Sequence, residues 1–371
     1  MARLRDRSHT RGALFVVALL AFGLLAAACG GDDSSGSSSA TTAGGSAGGA
    51  SSTTSGEPVT LRLGFFPNVT HAPALVGVGT GIFADKLGPN VKLETQSFNA
   101  GGAAVEALFG GAIDATYVGP NPAINGYVKS KGEALRIVSG ATSGGAFLVV
   151  KPEIQRAAEL EGKTLATPQL GNTQDVALRS WLKEQGLETD VQGGGDVSIL
   201  PQENAQTLDA FKTGTIDGAW VPEPWATRLI QEAGARVLVD ERTLWPQGRY
   251  VTTHLVVAKP FLDKHPDVVK GLIEGQVAAS AYINDHPIES QKVTNDQIEQ
   301  LTTKRMKDAT IVAAWQNLTF TNDPIATSLA KSAADAHDVG LLDQVDLKGI
   351  YDLSLLNEVL AAAGQPKVDA L

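Results

Sequence analysis

The sequence of 371 residues contains a single cysteine, Cys29, so the chain can form no intramolecular disulfide bond. Cys29 follows an apolar segment near the amino terminus, which excludes a thiolate nucleophile in the body of the fold. The six histidines are scattered and form no HExxH pair for zinc, and neither GxSxG nor the phosphate-binding pattern GxxxxGK[ST] occurs. We therefore expect no catalytic residues, no metal and no cofactor.

Positive charge is also in short supply. The chain has 30 lysine and arginine residues against 40 aspartate and glutamate residues, a formal net charge of −10. Because a nucleic-acid partner needs a basic face, we exclude such a partner. The length favours two domains, or one domain with two lobes.

The amino-terminal residues indicate export. A basic segment, residues 1–11, precedes an apolar run, residues 13–28, which is short for a membrane-spanning helix and typical of a signal peptide. The small residues before Cys29 resemble a bacterial lipobox, although Leu25 lies four positions before the cysteine instead of three. We expect removal of residues 1–28 and lipidation of Cys29, which would anchor the protein to the outer face of the cytoplasmic membrane. Ordinary signal cleavage beside an incidental cysteine is the alternative.

A low-complexity segment follows the cysteine. Residues 29–57 consist mostly of Gly, Ser, Thr and Ala, with almost no bulky apolar side chains. Such a composition cannot bury a core, so we predict a disordered tether between the anchor and the folded body.

From residue 58 onward, short apolar strands alternate with helical patterns. Val59–Phe65 alternates like a strand. Asn172–Gly186 is the clearest helix, because its apolar residues share one face, Asn172 or Thr173 can cap its start and Gly186 can end it. Repeated strand–helix–strand units predict an α/β fold in which helices flank mostly parallel sheets.

One motif occurs twice. LFGGAIDATYVGPNP, residues 108–122, and FKTGTIDGAWVPEPW, residues 211–225, each carry an Ile-Asp strand that ends in a proline-rich turn before a helix. Leu63 and Leu165 are 102 positions apart, and the two motifs keep an offset of 103. We interpret the near-constant offset as two similar lobes. The simpler alternative treats each motif as a buried strand followed by a turn.

The doubled motif predicts a binding cleft. In open parallel sheets, ligands lie beyond the carboxyl ends of the strands, where the following helices point their amino termini. Those termini offer unpaired N–H groups and a partial positive charge, which suit an anion. Two LVV strands, in Ala146–Pro152 and His254–Pro260, are predicted to connect the lobes as a two-stranded hinge, and the mostly helical chain after His265 is predicted to pack on the first lobe.

Four segments together resemble the nitrate/sulfonate/taurine family of ABC-transporter substrate-binding proteins. They are FPNVTHAPALVGVGTGIFAD, GGAAVEALFGGAIDATYVGPNPAI, GNTQDVALRSWLKEQG and IDGAWVPEPWATRL, and the resemblance covers about residues 59–340. It implies a type II periplasmic-binding-protein fold with two lobes that close on a small solute. The His-Ala-Pro of the first loop departs from several members of the family.

The resemblance also implies a function and a domain division. The chain would be a monomeric substrate-binding protein that holds a small organic or inorganic anion, such as a sulfonate, taurine or nitrate, and delivers it to an ABC permease with its ATPase. The expected division is a signal peptide at 1–28, a tether at 29–57, a first lobe at 58–149 plus 255–371, and a second lobe at 150–254.

The resemblance further implies a set of ligand-binding residues at the rims of both lobes. These are Asn68, Thr70, His71, Gly119, Pro120, Asn121, Thr142, Ser143, Asn172, Thr173, Gln174, Glu223 and Trp225. Few cations lie near these positions, so we expect neutral donors and helix ends to hold the anion.

Several of these residues also have a structural interpretation. In this alternative His71, Asn121 and Thr173 are helix caps that do not touch the ligand, and Trp225 is a core residue. Glu223 can either complement a helix dipole or, if it faces the cleft, bind an amine on the ligand. His254, at the return crossing, is predicted to be structural.

Two other functional classes remain as alternatives. Pyrimidine synthases of thiamine metabolism and a desulfinase are similar to this family, but both depend on cysteines that this chain lacks beyond Cys29. A hydrolase without a recognised motif is a further enzymatic alternative. A solute sensor that does not serve transport would use the same two-lobed fold.

Overall fold

A computed structural model describes residues 58–371. The predicted signal peptide, the predicted lipidation site Cys29 and the predicted tether lie outside the described residues. None of the helices between residues 58 and 371 combines the length and the apolar character that crossing a membrane requires.

The first sheet contains six strands, and its order is β11-β4-β10-β3-β1-β2. Their bounds are β1 Val59–Phe65, β2 Val91–Ser97, β3 Ala115–Val118, β4 Leu135–Gly144, β10 Val251–Ala258 and β11 Leu318–Phe320. Strands β1 to β4 share one direction, and β10 runs the opposite way between β3 and β4.

The second sheet contains five strands, in the order β7-β6-β8-β5-β9. Their bounds are β5 Ala146–Val150, β6 Thr164–Thr167, β7 Ser198–Pro201, β8 Gly218–Pro222 and β9 Arg236–Asp240. Here β5 is the reversed strand, between β8 and β9. Both sheets therefore share a five-strand arrangement, with four strands in one direction and one reversed strand in the fourth place, and the first sheet adds β11, antiparallel to β4, at its edge. The shared arrangement confirms the predicted α/β fold with two similar lobes.

The offset between the two motifs corresponds to strand register. Leu63 pairs with Ala115 in the first sheet, and Leu165 pairs with Gly218 in the second. These pairs are related by the same shifts of 102 and 103 positions that relate the motifs in the sequence. The repeated sequence pattern thus corresponds to a repeated pairing of strands.

The Ile-Asp pair has a structural role in both lobes. The Asp114 carboxylate accepts a hydrogen bond from the backbone N–H of Arg62 at 2.8 Å, and the Asp217 carboxylate accepts one from Thr164 at 3.0 Å. Each aspartate also pairs with a cation, Arg62 at 2.6 Å or Lys151 at 2.8 Å. Both carboxylates precede their strands, so they stabilise the amino ends of the sheets.

Thirteen α-helices flank the sheets in the described part of the chain. They are α1 Ala72–Gly79, α2 Ile82–Leu87, α3 Gly101–Phe109, α4 Pro120–Lys129, α5 Thr173–Glu184, α6 Asn204–Lys212, α7 Trp225–Ala233, α8 Lys259–Lys264, α9 Pro266–Asp285, α10 Pro287–Thr302, α11 Asp308–Trp315, α12 Ala326–Asp338 and α13 Ser354–Ala362. Short 3-10 turns lie at Val69–His71, Ala157–Leu160, Glu241–Leu244 and Pro246–Gly248.

Each sheet is covered on both faces. Helices α1, α2, α9 and α13 pack with one face of the first sheet, and α3, α4 and α12 pack with the other. In the second sheet, Leu148 of β5 faces α5, whereas its neighbour Val149 faces α6 and α7. This alternation is the two-residue period of a strand buried on both sides. The helical carboxy-terminal region packs on the first sheet, as the sequence predicts.

The crossings between the sheets differ from the predicted boundaries. The strand β5 already belongs to the second sheet at Ala146, and β10 belongs to the first sheet from Val251. The outward crossing is therefore the pair Gly144 and Gly145, whose φ angles of +81° and +74° favour glycine. Both LVV segments lie within the reversed strands of their sheets, and these strands begin at Ala146 and Val251, so the predicted boundaries at 149/150 and 254/255 fall four residues late.

Candidate functional site

A cavity of about 40 Å³ lies where segments that follow strands of both sheets meet. A single water needs about 10–15 Å³ on this scale, so the cavity can hold a few waters or a small solute. Its walls come from the loops after β1, β2 and β3 in the first sheet and after β6 and β7 in the second. This is the position at which open α/β sheets bind ligands.

Five helices of eight or more residues begin at this cavity. The lining residues His71, Ala100, Gly119 and Asn172 are the N-cap residues of α1, α3, α4 and α5, and Asn204 is the first residue of α6. Each terminus contributes N–H groups without helical partners and a fraction of a positive charge. The convergence of several helix starts favours an anionic ligand.

A buried ion pair fixes the start of α5. Asn172 accepts a hydrogen bond from the backbone N–H of Asp175 at 3.0 Å. The Asp175 carboxylate accepts hydrogen bonds from the N–H of Gly171 at 2.9 Å and from the hydroxyl of Thr167 at 2.8 Å. It also pairs with Arg179 at 3.0 Å, and both side chains are at most 1% exposed. The Asp175 carboxylate and its partners thus fix the segment 171–174, of which residues 172–174 line the cavity.

His71 is a neutral donor at the cavity wall. Its ring stacks on Phe66 with a centroid separation of 4.3 Å, and its Nδ1 accepts a hydrogen bond from the Phe66 N–H at 3.3 Å. Burial lowers the pKa of His71 to about 3, so the imidazole is uncharged at neutral pH. Because Nδ1 accepts, the proton resides on Nε2, which has no hydrogen-bond partner among residues 58–371 and can donate to a ligand.

The two lobes approach each other closely at Gly119 and Thr173. A Cβ atom at Gly119 would lie 2.6 Å from the Thr173 hydroxyl oxygen and 3.5 Å from the carbonyl oxygen of Thr252. Gly119 has an ordinary φ of −70°, so its requirement is for space and not for an unusual backbone. The absence of a side chain here allows the starts of α4 and α5 to close on the cavity.

Hydrogen bonds cross the cleft around the cavity. Trp225 Nε1 donates to Asn68 Oδ1 at 2.9 Å, and the Gly102 N–H donates to Gln169 Oε1 at 3.0 Å. Asn125 Nδ2 donates to the carbonyl of Gly171 at 3.2 Å. Such bonds join residues 46 to 157 positions apart. Because these bonds join the two lobes across the cleft, the lobes are closed in this structure.

No aspartate, glutamate, lysine or arginine of residues 58–371 lines the cavity. Its polar side chains are asparagine, threonine, glutamine and the neutral His71. In the same described region, no group of three or more His, Cys, Asp or Glu side chains could hold a metal ion. The chemistry available to a ligand is therefore hydrogen bonding by neutral groups and helix ends.

Seven of the thirteen predicted site residues line the cavity. They are Asn68, Thr70, His71, Gly119, Asn172, Thr173 and Gln174. Thr142 lies behind this wall, where its hydroxyl donates to the carbonyl of Thr70 at 2.7 Å. Ser143 pairs within the sheet, with Val251 and Thr319.

Three further predicted site residues are directed elsewhere. Pro120 and Asn121 start α4 outside the cavity wall, and Asn121 Nδ2 donates to the carbonyl of Ser332 at 3.1 Å. Trp225 lines a neighbouring cavity of about 50 Å³ instead, and its indole N–H donates a hydrogen bond to Asn68. His254 is fully buried and contacts the carbonyl of Pro324, in keeping with its predicted structural role.

Glu223 does not face the cavity. Its carboxylate accepts hydrogen bonds from the N–H and hydroxyl of Thr227 at 3.1 and 2.8 Å, and from Asn317 Nδ2 at 2.7 Å. Burial raises the pKa of Glu223, against which these donors act. The prediction that this carboxylate would bind a ligand amine requires it to face the cleft, and its oxygens are instead occupied between the lobes.

Sequence reasoning overlooked part of the wall. Asn99 and Gly101 follow β2, Asn204 follows β7, and Thr252 and Thr253 belong to β10. Asn99, Gly101 and Asn204 lie where a parallel strand is followed by a helix, the same sequence feature that identifies the other cavity loops. Applying that signal to every strand would have identified Asn99, Gly101 and Asn204.

Comparison with known proteins gives concordant results. A family model described as the NMT1-like family matches residues 54–295. The taurine-binding periplasmic protein of Escherichia coli is 28% identical over 207 residues, which are 56% of this chain and 62% of that protein. A bicarbonate-binding protein of Synechococcus is 25% identical over 77% of this chain and 65% of its own length. The chain thus matches somewhat less than two thirds of these relatives.

The fold is found among solved structures. The alkanesulfonate-binding protein SsuA from Xanthomonas axonopodis pv. citri bound to MOPS superposes with a TM-score of 0.65, at 19% identity. The match covers 78% of this chain and 96% of that structure. The two-lobed fold predicted from the sequence is confirmed by this likeness.

Proposed function

The chain belongs to the NMT1-like family, and from this membership we propose that it is the extracytoplasmic substrate-binding component of an ABC importer for a small oxyanion. The observation that carries the proposal is the cavity at which five helices begin and that is lined only by neutral side chains. The taurine- and bicarbonate-binding relatives and the alkanesulfonate-binding structure support it, because each of them is named for a small oxyanion.

The proposed site holds the anion by hydrogen bonds from both lobes. On the first lobe, His71 Nε2 and the start of α3 face the ligand, and on the second lobe Thr173, Gln174 and the start of α6 do so. Several neutral hydrogen bonds and helix ends can together supply the roughly 8 kcal/mol of a micromolar complex after the entropy cost of binding. No positive side chain is needed.

Ligand and lobe closure are coupled in this proposal. Donors from opposite lobes reach one solute only when the cleft is shut, so the ligand stabilises the closed form. Opening rotates the second sheet about Gly144 and Gly145 and about the return segment 245–250. The cleft-crossing hydrogen bond between Trp225 and Asn68 forms only on closure.

We extend the proposal to the whole chain. Residues 1–28 are a signal peptide, Cys29 carries the lipid anchor, and 29–57 is the tether. The first lobe comprises residues 58–144 plus 251–371 and the second residues 145–250, instead of the divisions at 149/150 and 254/255 expected from the sequence. A monomer anchored outside the cytoplasmic membrane delivers its solute to a permease and an ATPase. Replacing Cys29 with serine should release the protein from membranes, and retention of this variant there would contradict the anchor.

The function is tested by ligand-induced stabilisation. Thermal melting with nitrate, bicarbonate, isethionate, 1-propanesulfonate and taurine at millimolar concentration should reveal at least one ligand that raises the melting temperature. If none of these solutes has an effect, the oxyanion-binding function is wrong.

A matched pair of variants tests the site. Thr173→Ala removes a cavity hydroxyl and should weaken binding by about 1–2 kcal/mol in isothermal titration. Asn121→Ala removes a buried amide that faces Ser332, so it should lower stability and leave affinity nearly unchanged. Equal losses of affinity in the two variants would show that the cavity is not the ligand site.

A further inference from the structure

The cavity contains no negative charge to receive an ammonium group. Its lining lacks carboxylates within residues 58–371. The nearby buried carboxylates are already occupied, Asp175 by Arg179 and Glu223 by Thr227 and Asn317. An ammonium that leaves water for such a site loses its hydration and gains no opposite charge, which is strongly unfavourable.

One carboxylate on the rim, that of Glu203, lines the neighbouring cavity of about 50 Å³. Its side chain is exposed to solvent, and its Oε1 accepts a hydrogen bond from Asn99 Nδ2 at 3.3 Å. A charge that remains hydrated interacts weakly, because water screens it. Glu203 therefore does not replace a carboxylate inside the cavity.

One cavity residue, Asn204, has a buried polar atom without a hydrogen-bond partner in the described part of the chain. Asn204 Oδ1 is buried and has no partner in the described part of the chain, and it is the sole lining residue with such an atom there. The side chain is 8% exposed and stands at the start of α6, on the second lobe. A buried amide oxygen without a partner costs free energy, which a ligand recovers by donating a hydrogen bond to it.

We infer that the site selects small oxyanions without an ammonium group, and that the neutral amide of Asn204 sets this selectivity. The inference rests on the proposed function and narrows its ligand class to alkanesulfonates, hydroxyalkanesulfonates and inorganic oxyanions. An amide accepts from a hydroxyl and donates to an anion, whereas a carboxylate at the same place would compensate an ammonium. Asparagine and aspartate have the same shape, so a single substitution tests charge alone.

The experiment compares three ligands of nearly equal size by isothermal titration at pH 7.5. Taurine carries an ammonium, isethionate a hydroxyl and 1-propanesulfonate a methyl group at the same position. Isethionate and 1-propanesulfonate should each bind about tenfold or more tightly than taurine. Taurine affinity equal to or above that of isethionate would overturn the inference, while binding by any of the three leaves the oxyanion function intact.

Asn204→Asp should move the ratio of taurine to isethionate affinity by about tenfold or more toward taurine. Asn90→Asp adds the same charge at an exposed position and should leave the ratio unchanged. An unchanged ratio in Asn204→Asp would overturn the role of Asn204. Taurine binding that Glu203→Gln abolishes would show that the rim carboxylate serves the amine, which contradicts the inference.

Discussion

Replacing Arg179 with methionine should cost about 3–5 kcal/mol of unfolding free energy, because it leaves the Asp175 charge buried without its partner. The Asp175 side chain is fully buried and that of Arg179 is 1% exposed, so water cannot replace the lost partner. The substitution also removes a hydrogen bond from the guanidinium to the carbonyl of Asp190. Methionine keeps most of the side-chain volume, which limits the cavity term.

The chain offers a matched control for this change. Lys292 and Asp296 form an ion pair with the same spacing of four residues on α10, but their side chains are 71% and 40% exposed. Lys292→Met should therefore cost at most about 0.5 kcal/mol. The difference between the two variants isolates the effect of burial.

Urea unfolding of both variants provides the measurement, with Asp175→Asn combined with Arg179→Met as a third protein. The double variant should be more stable than the sum of its single changes predicts, because it removes the unpaired charge. Arg179→Met should also weaken oxyanion binding, since Asp175 holds the loop at Gly171. A cost within about 1 kcal/mol of the Lys292→Met control would refute the argument from the buried ion pair.

Three further outcomes are expected. Trp225→Phe removes the N–H donated to Asn68 and should weaken ligand binding by about 1 kcal/mol in calorimetry; unchanged affinity would show that this bond does not contribute to closure. Gly119→Ala should reduce affinity by about 1–3 kcal/mol, because the added methyl meets Thr173, while the melting temperature without ligand stays nearly constant; full affinity would exclude tight approach of the lobes. Burial raises the pKa of Glu241 from 4.5 to about 7, so the folded protein binds a proton more tightly than the unfolded chain between these values and loses stability as pH rises through that window. Glu241→Gln should therefore stabilise the protein at pH 8 by about 2–3 kcal/mol and not at pH 4, and an equal effect at both pH values would contradict this.

Much of the fold follows from local sequence. The bounds of β1 are those that the alternation in Val59–Phe65 predicts, and α5 begins after the predicted cap Asn172. Where the prediction failed, the missing information was not local. The strand β11 has three residues and forms because β4 provides a partner, and the crossing glycines carry no sign of which sheet the next strand joins.

The site was predictable at the level of loops but not of every side chain. The position after a parallel strand indicates a cleft residue, as for His71 and Thr173. It does not fix the direction of each residue in the first helical turn, because neighbours there point about 100° apart. Pro122 lines the cavity while Asn121 contacts Ser332, and only the packing of α12 against α4 decides between them.

The doubled motif therefore explains the scaffold and leaves the chemistry to the loops. In both lobes an aspartate that precedes a strand accepts a hydrogen bond from a backbone N–H of the neighbouring strand. At the carboxyl ends, His71 and Asn172 are the N-cap residues of the helices that follow the first parallel strand of the repeat in each lobe, and both line the cavity. The positions correspond, but the side chains differ, so at this position the ligand meets an imidazole on one lobe and an amide on the other. A pair of near-identical frameworks can thus present an asymmetric set of donors, which is what a solute with one anionic end and one different end requires.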